Sequence, residues 1–497
     1  MKKFFYVFFS AIIAVLSVGF VGCKKDEVLA VSKGLTNYEI VADFNDETKQ
    51  IIGSETIEYL NKTGDDLEYI CLHLYPRAFR KTATIKPYTA LNMAVCFPNG
   101  MSYGDILINK VQINGEEKQF EFVGEDEDIL KIIFGFCLKK EEKIDILIDF
   151  LIDIPNSTHR FGYYQDNVNL GNWYPVVCEY AGGEFDMTPY YATGDPFNSS
   201  VSNYIVKLSY DSKYKLTSTG EVNEKIENGK TVAEVSAKAV RDFAMCLSSN
   251  FLVQTEVVDG VTVSYAGYKQ DENTGDLLSV SVAAIKYFNE TFGKYPYKTL
   301  SVVKTPFVYG GMEYPGIVFV SDSIDDGVEN KKVIVHEIAH QWWYSVVGNN
   351  EAKEAWLDES LSEYSTAMFF AANDGFGITY DEIVDDAMSS YLLYVDVIQT
   401  IRGEVNSKMN LAVNEYQNDY EYSYMVYVKG VIMFDSLKQT VGEKKMIQGF
   451  RKYYEDNKFK IATKDDFYAA FKSACHQDLE TFFEGYLNGS SIISKIN

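Results

Sequence analysis

The sequence predicts a multidomain α+β protein, with an antiparallel β domain first and a mostly helical domain after it. Three observations predict this. All ten prolines lie at or before Pro315, and none falls between there and the end at Asn497; interior proline breaks helices, so the proline-free stretch suits them. Short runs with two-residue alternation fill the first half, separated by Asn-Gly and Asp-Gly pairs. Near residue 275 the apolar spacing changes to a helical period.

The β part comes first. Ile144 to Ile154 sets apolar and acidic residues mostly in alternation, as a half-buried strand does. Asn203 to Tyr210 continues in that style. Asn114-Gly115, Asn228-Gly229 and Asp259-Gly260 each stand between strand-like runs and mark hairpin turns. Roughly 230 residues of such strands predict a large antiparallel sheet or sandwich. The changeover falls near 250–265, so the chain divides as 1–23, 24–255 and 256–497. Beyond it, Leu277 to Phe292 has helical spacing, and Leu300–Pro306 and Gly316–Ser321 read as strands around a Gly-rich turn. Helices are expected over about 328–346, 355–374, 382–403, 421–440, 443–456, 464–475 and 477–487.

Composition narrows the function classes. The net charge is −25 and the pI about 4.7, so the chain should be repelled by nucleic acid, and no nucleic-acid partner is expected. At the N-terminus, Lys2 and Lys3 precede an apolar run that ends at Gly22-Cys23, before Lys24-Lys25-Asp26-Glu27. That is the pattern of an export signal over 1–23. A cysteine just after the small residue resembles a bacterial lipoprotein signal, with Cys23 as the lipidated residue. Phe20 departs from the usual aliphatic there, and an uncleaved anchor helix is the other reading. Either way the protein is expected outside the cytoplasm, tethered to a membrane. The six other cysteines form no CxxC pair and mostly sit in apolar runs, so small buried hydrophobes are expected.

The chemistry centres on Val333 to Trp343, a stretch apolar enough for a buried helix. His336 and His340 are one helical turn apart and project from one face. Two imidazoles so placed can grip one Zn²⁺, and Glu337 beside them can take a proton from a water. Burying two histidines and a carboxylate without a partner is costly, and a metal supplies one. A third ligand leaves one position open. Glu359 supplies it from the next expected helix, separated from His340 by enough chain for a short connection and an antiparallel return. Glu363, one turn on, can accept the second ring N–H of a ligand histidine.

HExxH from His336 to His340, followed by a glutamate at the spacing of Glu359, resembles the aminopeptidase N family of gluzincin metallopeptidases. Gly310-Gly311-Met312-Glu313-Tyr314 stands where that family has Gly-x-Met-Glu-Asn, and Tyr427-Val428-Lys429-Gly430 where it has Tyr-x-Lys-Gly. Asn172-Trp173-Tyr174-Pro175 and Gly194-Asp195-Pro196-Phe197 resemble segments of its β domain. The resemblance implies a thermolysin-like catalytic domain over 256–497, with one zinc on His336, His340 and Glu359. It implies Glu337 as base and Tyr427 as oxyanion donor. Gly310, Gly311 and Met312 would flank the peptide, and Glu313 would hold its free α-ammonium. The substrates would be peptides with a free N-terminus. Tyr314 departs from the family's asparagine. For a second group on the amine, Asn169, Asn172 and Glu179 are open alternatives. The stretch from Glu359 to the end at Asn497 completes a catalytic domain, so no C-terminal helical domain and a more open cleft are expected. Two other readings stand beside the aminopeptidase: an endopeptidase or dipeptide-releasing peptidase of the same fold, and an inactive, membrane-tethered peptide-binding lipoprotein.

Overall fold

A computed structural model describes residues 27–271, 274–325, 327–491 and 493. The expected signal over 1–23, with Cys23, lies outside them. No helix among the described residues is long and apolar enough to cross a membrane.

Alternation builds the first domain. In the strand Lys143–Asp153, Ile144, Ile146, Ile148, Phe150 and Ile152 are all buried, while Asp145 and the residues between face outward or lie half-exposed. This strand lies inside an eight-stranded sheet running, in space, Glu221–Glu227, Lys230–Val240, Ser202–Asp211, Asn37–Asn45, Gln50–Leu60, Lys143–Asp153, Asp105–Ile113, Glu116–Glu117. Two four-stranded sheets and the two-stranded pair Tyr180–Ala181 with Glu184–Phe185 complete the domain. The sheet is not wholly antiparallel: Asn37–Asn45 pairs parallel to Ser202–Asp211. Strands so distant in the chain have no hairpin to impose the antiparallel sense. The three expected turns all form, with positive φ at both central residues, as in Asn228 (50°) and Gly229 (83°). That is the geometry whose twist matches right-twisted strands.

The boundary expected at 256 falls within a strand. Phe251–Val258 pairs with Val261–Tyr268 across the Asp259-Gly260 turn, so both strands belong to one sheet. That five-stranded sheet runs Phe251–Val258, Val261–Tyr268, Thr299–Thr305, Ile317–Ser321, Gly311–Met312. Its central pairings are parallel, with the helix Thr274–Thr291 as a crossover. Parallel strands are covered on both faces. Val302, Val318 and Val320 join the core of the helical domain, while Val303, Ile317 and Phe319 join the core of the β domain. The sheet is the wall shared by the two halves. Arg241 staples the seam, donating to the carbonyls of Tyr344, Ser199 and Lys460.

The helical region largely follows expectation, with three departures that matter to the site. The first helix is Val328–Ala339, ending well before the expected 346. The segment 419–441 is not one helix. A short helix, Asp419–Ser423, passes through a π turn at Tyr424–Val428 into Lys429–Val441. Helix 355–374 likewise starts late, at Glu359, after a 3₁₀ turn at Ala355–Leu357. Of the cysteines, Cys137 is exposed, contrary to the buried role expected, because it sits on the outer face of Ile129–Leu138; Cys71, Cys96, Cys178, Cys246 and Cys475 are buried.

Candidate active site

Three side chains meet at the end of the Val328–Ala339 helix. His336 Nε2 and His340 Nε2 lie 3.0 Å apart, and Glu359 Oε2 is 3.1 Å from the first and 3.2 Å from the second. Glu359 is the first residue of its helix, whose start is capped by Asp358 accepting from the Glu359 amide at 2.7 Å. Each δ-nitrogen has an oxygen close by. His336 Nδ1 faces Glu363 Oε2 at 2.8 Å, and His340 Nδ1 faces the Trp343 carbonyl at 3.0 Å. With a proton on each Nδ1, both Nε2 atoms carry lone pairs directed at one another and at a carboxylate, an arrangement that a bound cation relieves. Ligand atoms around tetrahedral zinc at about 2.0–2.2 Å lie about 3.3–3.6 Å apart, close to the spacings seen. The three residues fit a zinc ion.

The early end of the first helix serves this geometry. In a helix running to 346, the Trp343 carbonyl would accept from the Val347 amide. Instead the Val347 amide donates to Trp342 O and the Tyr344 amide to Val347 O, with Tyr344 at φ 139°. The Trp343 carbonyl is thereby free for His340. Trp342 and Trp343, both fully buried, anchor the turn through indole donors to Gly293 O and Ser365 Oγ.

Glu337 sits beside the ligands, 5% exposed, with Oε2 unpartnered among protein atoms. Burial, offset by the two histidines, pushes its carboxyl up to about 7, suited to taking and returning a proton near neutrality. Gly311 lies against it: a Cβ there would come 2.2 Å from Glu337 Oε1. The Tyr427 phenol donates to Glu359 Oε1, and its ring stacks on His336 at 5.7 Å. Burial and the Glu359 charge hold this phenol well above its usual range, so it remains a donor. It sits in the π turn, whose extra residue re-aims the side chain.

The cleft in front of these groups encloses about 490 Å³. Gly310, Gly311 and Glu313 line it, along with Glu337, Tyr427 and Glu363. Met312 does not. On the edge strand Gly311–Met312, side chains alternate, and Met312 turns into the β-domain core. Its expected contact with substrate is corrected to a packing role. Glu313 is 3% exposed and its Oε1 has no hydrogen-bond partner. Burial and nearby Asp195 push its carboxyl well above the usual range.

The three candidates for a second group on an amine lie away from the cleft. Asn169 donates to His159 O and Pro306 O, Asn172 to Asp242, and Glu179 accepts from Ser200. All are engaged in the β domain, and none lines the cleft. The cleft receives Asp195 instead, whose carboxylate lies within 4.8 Å of those of Glu313 and Glu359. Asp195 pairs with Arg160, buried behind it. The Gly194-Asp195-Pro196 motif was visible in the sequence, but not that its carboxylate crosses the seam. Tyr314 is also accounted for. It is fully buried, covers Gly171, and donates to Asn172 at 2.6 Å, so it stabilises the seam and leaves the cleft unchanged.

Fold and site together define a gluzincin-type zinc metallopeptidase architecture, with HExxH on one helix and the glutamate ligand on the next. Residues 277–486 match the peptidase family M1 domain, and the site is similar to that of the aminopeptidase N-like gluzincins. The chain is 23% identical over 401 residues to aminopeptidase N of Lactobacillus helveticus, covering 76% of this chain and 46% of that protein. It is 24% identical over 457 residues to aminopeptidase N of Lactobacillus delbrueckii subsp. lactis, covering 84% and 50%. The chain thus spans about half the length of these relatives. In fold it is similar to an M1 zinc metallopeptidase from Deinococcus radiodurans, with a TM-score of 0.63 at 13% identity, over 93% of this chain and 95% of that one.

Proposed function

We propose that the protein is a zinc aminopeptidase that removes N-terminal residues from peptides. The observation that carries this reading is the pair Glu313 and Asp195, two carboxylates within 4.8 Å at the cleft wall beside the metal ligands. An α-ammonium is the group that satisfies the unpartnered Glu313 oxygen, and it places the first peptide bond next to Glu337. His336, His340 and Glu359 would hold a zinc ion, which when bound would polarise a carbonyl and lower the pKa of a water. Glu337 accepts the proton from the attacking water and passes it to the leaving amine. Tyr427 donates to the developing oxyanion. Gly310 and Gly311, lacking side chains, admit the peptide backbone.

The test compares one peptide with a free and an acetylated N-terminus, in enzyme carrying one zinc per chain. Cleavage of the free form alone supports the reading, and equal rates would replace it with an endopeptidase. Removal of zinc with a chelator should abolish cleavage, and added zinc restore it.

The setting of this activity is a second part of the proposal. The basic, apolar and Gly22-Cys23 pattern supports export and lipid attachment at Cys23. Metabolic labelling with a fatty acid, lost in Cys23→Ser, is the check.

A further inference from the structure

Charge in the cleft is matched almost everywhere. Asp195 pairs with Arg160 and Glu329 with Lys332, while Glu363 is engaged by the His336 ring as a metal-ligand partner. Glu313, Glu337 and Glu359 have the roles already given. One lining carboxylate remains, Asp419, and it pairs with no cation among the described residues. Its surroundings are built all the same. Thr89 Oγ1 and Asn92 Nδ2 donate to Oδ2 at 3.0 and 3.3 Å, and Thr193 Oγ1 donates to Oδ1 at 2.6 Å. Neutral donors orient a carboxylate but leave its charge in place. Three of them, all from the β domain, hold a half-buried anion at the cleft wall.

The position is informative. Thr193, which holds Asp419, is two residues from Asp195, so their Cα atoms lie at most about 7 Å apart. Asp419 therefore stands in the same cleft as Asp195 and Glu313, on the side where the side chain of a residue held there by its α-ammonium would lie. Tyr309, Tyr420 and Leu91 line the same part of the cleft and offer apolar and aromatic surface to the stem of such a chain. Aromatic faces also favour a cation.

We propose that Asp419 is a specificity determinant that selects peptides whose N-terminal residue is lysine or arginine. This rests on the aminopeptidase reading above. The experiment uses the zinc-loaded full chain and aminoacyl-coumarin amides in isosteric pairs, arginine against citrulline and lysine against norleucine. The charged member should be preferred in kcat/KM by about tenfold or more, and Asp419→Asn should bring both ratios close to one. A ratio within one preparation is insensitive to the fraction of the variant that folds. A purely structural role for Asp419, latching the two domains, would lower both members equally and leave the ratio standing, which would overturn the proposal. So would a wild-type ratio near one. If the wild type cleaves acetylated peptides and none of the four reporters, the aminopeptidase reading falls and this inference falls with it.

Discussion

Glu363 Oε2 stands 2.8 Å from His336 Nδ1, one helical turn beyond the ligand Glu359. A single helix therefore supplies one metal ligand and the group that sets the tautomer of another. The same two functions are split for His340, whose Nδ1 is served by the Trp343 carbonyl.

Loss of the Glu363 carboxylate should loosen zinc rather than the fold. Outer partners of ligand histidines are worth about 10–100-fold in metal affinity. Glu363→Ala should weaken zinc by that amount in a competition with a chelator of known affinity, with the melting temperature of the zinc-saturated protein little changed. Unaltered affinity would reduce Glu363 to a bystander.

Glu337→Gln separates catalysis from metal binding. The amide keeps the shape but cannot take the proton. Activity should fall by about 10³-fold or more, on the scale of lost general-base catalysis, while zinc stays near one per chain by elemental analysis.

Gly311 and Gly310 should differ sharply. A Cβ at Gly311 would come 2.2 Å from Glu337 Oε1, whereas at Gly310 the nearest atom is Val333 Cγ2 at 3.7 Å. Gly311→Ala must displace the base and should lower kcat by about tenfold or more. Gly310→Ala should affect peptide binding and appear in KM. Equal effects on kcat would contradict the geometry.

Tyr427→Phe removes one donor to the developing oxyanion. Loss of a single such donor is worth about 10²–10³-fold in kcat, and KM should move little. Because the ring stacks on His336, phenylalanine preserves the packing, and the zinc content should not change.

His73 makes the β domain acid-sensitive. It is 4% exposed, stacks on Tyr75 at 4.8 Å, and burial lowers its pKa to about 4. The unfolded chain, with an ordinary histidine near 6.5, takes up the proton first. Stability is therefore unaffected above pH 6.5 and declines as pH falls from there toward 4. Between pH 7 and 5 the loss is about 2 kcal/mol. Denaturant unfolding of His73→Leu at the two pH values should show a smaller decline than wild type. An equal decline would assign the acid sensitivity to other groups.

The sequence by itself pointed to the candidate metal ligands and the candidate base, and determined the division into sheets and helices. These depend on local spacing: four residues make about one helical turn, alternation makes a two-faced strand, and Asn-Gly makes a tight hairpin. Glu359 was within reach because only a short connection separates its helix from the first. Tertiary structure decided the rest. Asp195 and Arg160 arrive across the seam from a different domain. Met312 faces away because its strand lies at a sheet edge with the β domain on one side. The Trp343 carbonyl meets His340 only because the helix stops at Ala339, an end imposed by two buried tryptophans. Asp419 acquires its setting from Thr89, Asn92 and Thr193, far away in the chain. Periodicity shows which residues share a face; what lies opposite that face depends on how the domains pack.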